Sequence, residues 1–413
     1  DLVVIGNVCR RTNPECQAVE DRRIPYVSMP RAVALFFLEG RRPIVVSGTH
    51  GKTTTTALLG HLLTTAGLDP GVLVGGVVRD FGGSFRLGQG PHFVVEGDEY
   101  DSAYFDKGPK FLHYCPLLAV LTAVEFDHAD IFADDAAVDR AFASFLGLLP
   151  ADGLLVVCGD EARALALGRE FARCPLLTYG LGGKEELQLC ACDACFDEQG
   201  VRFRLVHRGC DLGEIRSPLA GEHNLRNTLA ALAIGISLSL PLAVLQQGLA
   251  TFQGVRKRQE QIGEGCGVLV LDDFAHHPTA VRETIRAVAA RYAGRKLWAV
   301  FEAKSNTSRL NVFQADYARA FDGAAEVVIA RPYVKKDQIP PERRLDVTQL
   351  VGDLKERGIT ARLIPDVDEI IRTLVEQTRP GDVVLGMSGS SFQGFHPRLV
   401  EALRQKELEQ EAS

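Results

Sequence analysis

The chain has 413 residues, 46% of them hydrophobic and 24% charged, with a formal net charge of −7. It is long enough for two or three domains, each with its own core. The acidic balance argues against a nucleic-acid scaffold, because the arginine pairs at 22–23, 41–42 and 343–344 are short and read as solvated surface. The longest apolar stretch, 229–245, is interrupted by Ser237, Ser239 and Pro241, so it reads as a buried helix and no membrane partner is expected. Ten scattered cysteines do not form the framework of a small secreted protein, and reduced thiols of the cytoplasm fit better. Cys190, Cys192 and Cys195, with His207 and Cys210 nearby, have the composition of a zinc site. The alternation of Leu187, Leu189 and Ala191 marks a strand, however, and its period of two sends Cys195 to the opposite face from Cys190 and Cys192.

In chain order, residues 1–40 hold one strand near 2–5, a loop and a short amphipathic helix over 31–40, which is only part of a domain. Residues 41–254 follow, with apolar strands at 43–46, 93–95, 118–124 and 154–157 separated by helical segments. That alternation predicts a largely parallel sheet with helices on its faces. Segments 186–196 and 201–207 alternate across the turn at 197–200 and predict an antiparallel hairpin appended to the sheet. Residues 255–413 repeat the α/β pattern, with strands at 268–271, 297–301, 326–329, 361–364 and 382–385. Helices are expected near 279–292, 311–321, 347–357, 367–377 and 397–409, giving a Rossmann-like, doubly wound domain.

Ser47-Gly48-Thr49-His50-Gly51-Lys52-Thr53-Thr54 leaves the first strand of the 41–254 block and leads into a helical run. Glycines at 48 and 51 allow backbone N–H groups to turn around phosphate oxygens, Lys52 adds a point charge, and the Thr53 hydroxyl can reach a magnesium ion. Only two residues separate Gly48 from Gly51-Lys52, so this is a shortened phosphate loop. It resembles that of ATP-dependent amide ligases more than that of GTPases or kinases.

Two further motifs follow strands of the same sheet: Glu96-Gly97-Asp98-Glu99-Tyr100-Asp101 and Glu125-Phe126-Asp127-His128. In an open α/β sheet these positions, past the carboxy ends of the strands, are where a ligand binds. A hard cation on phosphates takes oxygen ligands, which Thr53 and Glu96 supply, with His128 an acceptable but less typical partner.

These stretches, together with Gly221-Glu222-His223-Asn224 and Asp272-Asp273-Phe274-Ala275-His276-His277-Pro278, stand in the order seen in Mur ligases, and the resemblance runs over nearly the whole chain. It implies three parts: a partial N-terminal UDP-sugar-binding α/β domain (1–40), a central P-loop-type ATPase domain with a parallel sheet (41–254), and a C-terminal Rossmann-like domain (255–413). It also implies ATP and Mg2+ as cofactors. Gly48, Thr49, His50, Gly51, Lys52, Thr53 and Thr54 would surround the phosphates, with Thr53, Glu96 and His128 on the metal. Lys52, Glu96 and His128 would be catalytic, Asn224 would lie near the adenine, and Arg258 and Asp273 would reach the nucleotide from the C-terminal domain. From the residues alone, Asn224 can equally cap a helix, Arg258 can be a surface charge and Asp273 a turn residue.

Tyr100, Phe126 and the extra stretch 106–114 resemble the peptide-recycling branch of the family. That branch implies UDP-N-acetylmuramate and the tripeptide L-Ala-γ-D-Glu-meso-diaminopimelate as the partners joined. The alternatives are ligation of L-alanine, folate-type ligation, and an ATP-hydrolysing switch. Two features depart from the family. Its Gly-rich opening for the UDP-sugar is not found before residue 1, and Lys304 stands where arginine is more usual, beside Ser305, Asn306 and Thr307 as candidate peptide contacts. A lysine lacks the bidentate fork of an arginine for a carboxylate.

Overall fold

The computed structural model describes residues 1–128, 131–332 and 339–411. Positions 129–130 of the motif that begins at Glu125 therefore lie outside the described residues. The chain forms two compact units, the first built from Asp1–Cys195, Val201–Leu219 and His223–Val255, the second from Phe196–Gly200, Ala220–Glu222 and the chain from Arg256 onward.

The first unit opens with β1 (Val3–Ile5), α1 (Pro14–Asp21) and β2 (Tyr26–Ser28), the two strands parallel with Val3 opposite Tyr26. Asn13 caps α1 by accepting from the Glu15 N–H, and Pro14 takes the first helical position, where no N–H is needed. Helix α2 (Met29–Val33) runs on into a π-helical turn over Ala34–Leu38. The main sheet then takes β3 (Arg42–Ser47), β4 (Gly71–Val78), β5 (Gly83–Arg86), β6 (His92–Gly97), β7 (Leu118–Leu121), β8 (Leu154–Cys158), β9 (Leu176–Leu181), β10 (Leu189–Asp197), β11 (Gly200–His207) and β12 (Cys210–Ser217). Helices α3 (Lys52–Thr65), α4 (Asp135–Leu146), α5 (Ala162–Phe171), α6 (Glu222–Ser237) and α7 (Leu242–Thr251) complete the unit.

The strands lie in the order β12-β11-β10-β9-β8-β7-β3-β6-β4-β5. Central β3 is parallel to both neighbours, β6 and β7, and Ile44, Val45 and Val46 are fully buried. A strand covered on both faces reads as a continuous apolar run, which is why this one was visible in the sequence. The edges differ: β5 is antiparallel to β4, and β12 is antiparallel to β11.

Three expectations need correction. The strand foreseen over 118–124 ends at Leu121, because the Ala123 carbonyl turns to accept from the Thr49 N–H at 2.7 Å and the segment becomes a wall of the phosphate loop. The single buried helix over 229–245 is two, α6 and α7. Ser239 adopts φ 58°, and Pro241, which has no N–H to continue a helix, stands immediately before α7. The hairpin at 186–207 is part of a longer edge, flanked by β9 and β12, which were not foreseen. Among the described residues, no helix is long and apolar enough to cross a membrane.

The second unit contains β13 (Glu260–Gly265), β14 (Val268–Asp273), α8 (Pro278–Arg291), β15 (Leu297–Glu302), α9 (Gln314–Ala320), β16 (Glu326–Ile329), α10 (Val347–Glu356), β17 (Thr360–Leu363), α11 (Val367–Gln377), β18 (Val383–Ser388) and α12 (Phe395–Glu411). Their order is β13-β14-β18-β15-β16-β17, with β13 alone antiparallel to its neighbour. Alternate residues face opposite cores. Leu271, Ala299 and Phe301 pack in one with Val281, Tyr317 and Leu350, and Val270, Trp298 and Val300 pack in the other with Ile370, Leu374 and Leu399. A sheet covered by helices on both faces is the doubly wound arrangement expected from the sequence.

Candidate functional site

The site of the first unit lies past the carboxy ends of β3, β6 and β7. Strand β3 hands the chain to the loop at 48–51, and α3 starts at Lys52. Both glycines are needed. Gly48 has φ 130°, and a Cβ there would lie 2.2 Å from Thr122 Oγ1 and 2.8 Å from the Ala123 carbonyl oxygen. Gly51 has φ 81°, and its Cβ would lie 2.3 Å from Asn227 Oδ1. Thr49 fastens the loop to the segment after β7: its hydroxyl accepts from the Glu125 N–H at 2.9 Å and donates to the Glu125 carbonyl at 3.2 Å. His50 Nε2 lies 2.9 Å from Glu125 Oε2, and Thr122 Oγ1 donates to the His50 carbonyl at 2.5 Å.

Lys52 points back into the loop. Its Nζ donates to the Gly48 carbonyl at 2.6 Å, to Glu99 Oε2 at 2.7 Å and to the Thr49 carbonyl at 3.4 Å. Thr53 Oγ1 donates to Glu96 Oε1 at 2.9 Å, while Glu96 Oε2 accepts from the Gly75 N–H of β4 at 2.6 Å. Thr54 is buried in the first turn of α3. The far side of the cluster is His128, whose Nε2 lies 3.2 Å from Glu99 Oε1 and whose ring sits 4.0 Å from that of Tyr100. His128 holds φ 57°, in the left-handed region that non-glycine residues seldom adopt, and its own N–H donates to Asp127 Oδ1 at 2.6 Å. Asp98 pairs with Lys110 at 2.6 Å.

The electrostatics follow from this crowding. Burial acts to lower the Lys52 pKa, but Glu99, Asp98 and Glu96 outweigh it and the value is raised, so the ammonium stays charged. Burial likewise opposes the His128 charge, and the hydrogen bond to Glu99 with the Asp127 carboxylate nearby raises its pKa above the ordinary imidazole value. Asp98 is held below the usual carboxylate range: burial pushes it up, and Lys52 and Lys110 more than reverse that.

Glu99, only 3% exposed, joins Lys52 to His128 and was not singled out in the sequence. Asn227 was missed as well. Asn224 lies in the first turn of α6 rather than capping it, and its Oδ1 accepts from Asn227 Nδ2 at 3.1 Å, so Asn227 is the member of the pair that lies against the phosphate loop. The spacing of three on one helix face was the available signal.

In the second unit, Asp273 ends β14. Its Oδ2 accepts from the Gln259 N–H at 2.8 Å and its Oδ1 from the Ala275 N–H at 2.7 Å. The Arg258 guanidinium lies 5.3 Å from the centre of the Phe274 ring and pulls the Asp273 pKa down, against a larger upward push from burial. Residues 304–307 form a separate turn after β15. Ser305 Oγ accepts from the Ser308 N–H at 3.0 Å, Asn306 Oδ1 accepts from Arg309 Nη2 at 3.4 Å, Thr307 is buried, and Lys304 is partly exposed.

Two family models match this chain: the Mur ligase middle domain over residues 46–235 and the Mur ligase glutamate ligase domain over 257–390. The UDP-N-acetylmuramate–L-alanyl-γ-D-glutamyl-meso-2,6-diaminoheptandioate ligase of Escherichia coli K12 is 35% identical over 411 residues, covering 98% of this chain and 85% of that protein. A UDP-N-acetylmuramate–L-alanine ligase of Oleidesulfovibrio alaskensis is also 35% identical, over 393 residues, covering 95% of this chain and 83% of its own length. Among solved structures, a murein peptide ligase from Psychrobacter arcticus superposes with a TM-score of 0.71 at 28% identity, covering 98% of this chain and 86% of that one. The chain belongs to the Mur ligase family, whose members couple ATP cleavage to formation of a C–N bond.

Proposed function

We propose that the chain joins the muramyl carboxylate of UDP-N-acetylmuramate to the α-amine of L-Ala-γ-D-Glu-meso-diaminopimelate, with ATP as the driving nucleotide, in peptidoglycan recycling. One observation carries the reading most: the Lys52–Thr53 phosphate loop faces Glu96, Glu99 and His128 in a chain 35% identical, over 98% of its length, to a ligase named for those two substrates. Tyr100, one of the residues that resemble the recycling branch, packs on the His128 ring, and Lys110, from the extra stretch 106–114, pairs with Asp98. These contacts between residues that resemble the recycling branch and the cluster support the reading. We further propose the domain division 1–40, 41–254 and 255–413, with Asn224, Arg258 and Asp273 on the nucleotide and Lys304, Ser305, Asn306 and Thr307 toward the peptide.

The residues fit a magnesium ion. Thr53 Oγ1 and Glu96 Oε1, 2.9 Å apart, are hard oxygen donors that would hold it, with the His128 imidazole as the third candidate ligand. When bound, the ion neutralises charge on the polyphosphate. A carboxylate is a poor electrophile, so its oxygen attacks the ATP γ-phosphorus, ADP leaves, and an acyl phosphate forms. The amine then attacks the acyl carbon, the C–O bond to phosphate breaks, and amide, inorganic phosphate and a proton are released. Lys52 binds the phosphate oxygens through a charge it cannot readily lose at this site. The glycine-lined loop brings backbone close to them, and Asn227 braces the loop at Gly51.

The Oleidesulfovibrio relative, equal in identity, favours L-alanine as a second reading of the amine donor. Measuring ADP release with UDP-N-acetylmuramate and each donor separates the two. Turnover with tripeptide and not with L-alanine supports the recycling activity, and the reverse assigns the biosynthetic one.

A further inference from the structure

Glu99 is the best-buried carboxylate of the cluster, and both of its oxygens have partners. Oε2 takes a hydrogen bond from Lys52 Nζ at 2.7 Å, and Oε1 lies 3.2 Å from His128 Nε2. Glu96 serves a different pair, the Thr53 hydroxyl and the Gly75 N–H, so the two acids are not interchangeable. The three Lys52 protons are engaged by Glu99 and the carbonyls of Gly48 and Thr49, so a phosphate entering the loop competes with Glu99 for the ammonium. On the other side, Glu99 Oε1 at Nε2 and Asp127 Oδ1, 3.7 Å from Nδ1, hold the His128 ring between them and fix the direction in which its nitrogens point.

We propose that Glu99 is a positioning residue for the ligase reaction, one carboxylate that holds Lys52 by one oxygen and His128 by the other and so couples phosphate uptake to metal support. The inference rests on the ligase reading above. It has a consequence that a merely structural role for Glu99 lacks: removing the charge has opposite effects on the two partners. Lys52 loses its competitor, and phosphate binding without metal becomes tighter. His128 loses the nearer of the two anions that orient it, and more magnesium is needed.

The test uses Glu99→Gln, which preserves shape, and Glu99→Asp, which keeps the charge and shortens the reach. ADP is titrated calorimetrically in the presence of EDTA, and the magnesium dependence of ADP release is measured alongside thermal unfolding. For Glu99→Gln, metal-free ADP is expected to bind about tenfold tighter, and the half-saturating magnesium concentration to rise about tenfold. Glu99→Asp is expected to bind metal-free ADP as wild type does and still to need more magnesium. Wild-type binding of ADP with unchanged or weaker binding in Glu99→Gln overturns this inference alone, as does an unchanged magnesium requirement in both variants. If the wild-type chain binds no ADP, the ligase reading fails first and this inference with it.

Discussion

Both units place acids at or just past the carboxy ends of parallel strands, but they hold them differently. In the first unit, Glu99 and Asp98 are answered by the cations Lys52 and Lys110, and Lys52 and His128 are pushed further toward their charged forms. In the second, Asp272 and Asp273 sit side by side at the end of β14. Asp273 is satisfied chiefly by backbone N–H groups, and burial pushes the Asp272 carboxyl up to about 7 despite Lys257 nearby. The buried ion pairs make one site a reservoir of fixed charge. The other unit holds a carboxyl poised to change charge near neutral pH, with the His396 imidazole 3.4 Å away and pulled down to about 4 by its own burial.

The contrast can be broken most forcefully at Lys52. Lys52→Ala is expected to cut ADP release by about 10³-fold. It also strands Glu99 in the interior, so a stability loss of about 3–5 kcal/mol is expected by urea denaturation. The double variant Lys52→Ala/Glu99→Gln should recover much of that stability and none of the activity. Appreciable turnover by Lys52→Ala would remove the charge-reservoir view.

In the second unit, pH is the probe. The Asp272 carboxyl has a folded pKa of about 7 against 3.8 for the free group. Below about pH 4 it is protonated in both states and contributes no difference. Between those two values the folded chain keeps a proton that the unfolded chain has lost, so this carboxyl's contribution to stability falls as pH rises and is fully unfavourable above about pH 7. His396, lowered from 6.5 to about 4, contributes the opposite slope between its own two values. Asp272→Asn is expected to remove the falling contribution and to be more stable than wild type at pH 8 by at most about 4 kcal/mol. Denaturation midpoints at pH 5 and pH 8 measure it. An unchanged slope would mean the two units hold their acids alike.

Two smaller effects sharpen the comparison. Gly51→Ala puts a Cβ into Asn227 at a positive φ, and a loss of about 1–3 kcal/mol is expected together with weaker ADP binding. Asp346→Ala removes a cap that accepts from the Thr348 and Gln349 N–H groups at the start of α10, remote in sequence from any candidate site residue. It should cost about 1 kcal/mol in thermal unfolding with turnover unchanged.

The phosphate loop was legible in the sequence because its constraint is local: Gly48 and Gly51 must be glycine to take their φ values, and an apolar strand ran straight into them. The acids were legible as a group but not in rank. Glu96 was singled out with Thr53, but nothing in Glu96-Gly97-Asp98-Glu99 shows that Glu99 meets Lys52, since that depends on how the chain leaves β6. Asn227 contacts the loop from 176 positions further along the chain, as the numbering of the Gly51 contact shows. The edge strands β5 and β12, and β4 beside β5, were missed because their burial is mixed and their partners lie outside any short window; β9, buried through its centre between β8 and β10, was missed as well. The second unit read more faithfully, since β14, β15 and β18 are buried on both faces and helices α10 and α11 begin at Asp346 and Asp366 caps, although the edge strand β13, of mixed burial, was not foreseen.

The central claim is that this charged loop activates a muramyl carboxylate for a peptide amine. Its most direct test is ADP release by the chain with UDP-N-acetylmuramate, followed with the tripeptide, with L-alanine and with neither. Release that requires both UDP-N-acetylmuramate and the tripeptide is the expected result. Release that prefers L-alanine, or that proceeds without any acceptor, would contradict it.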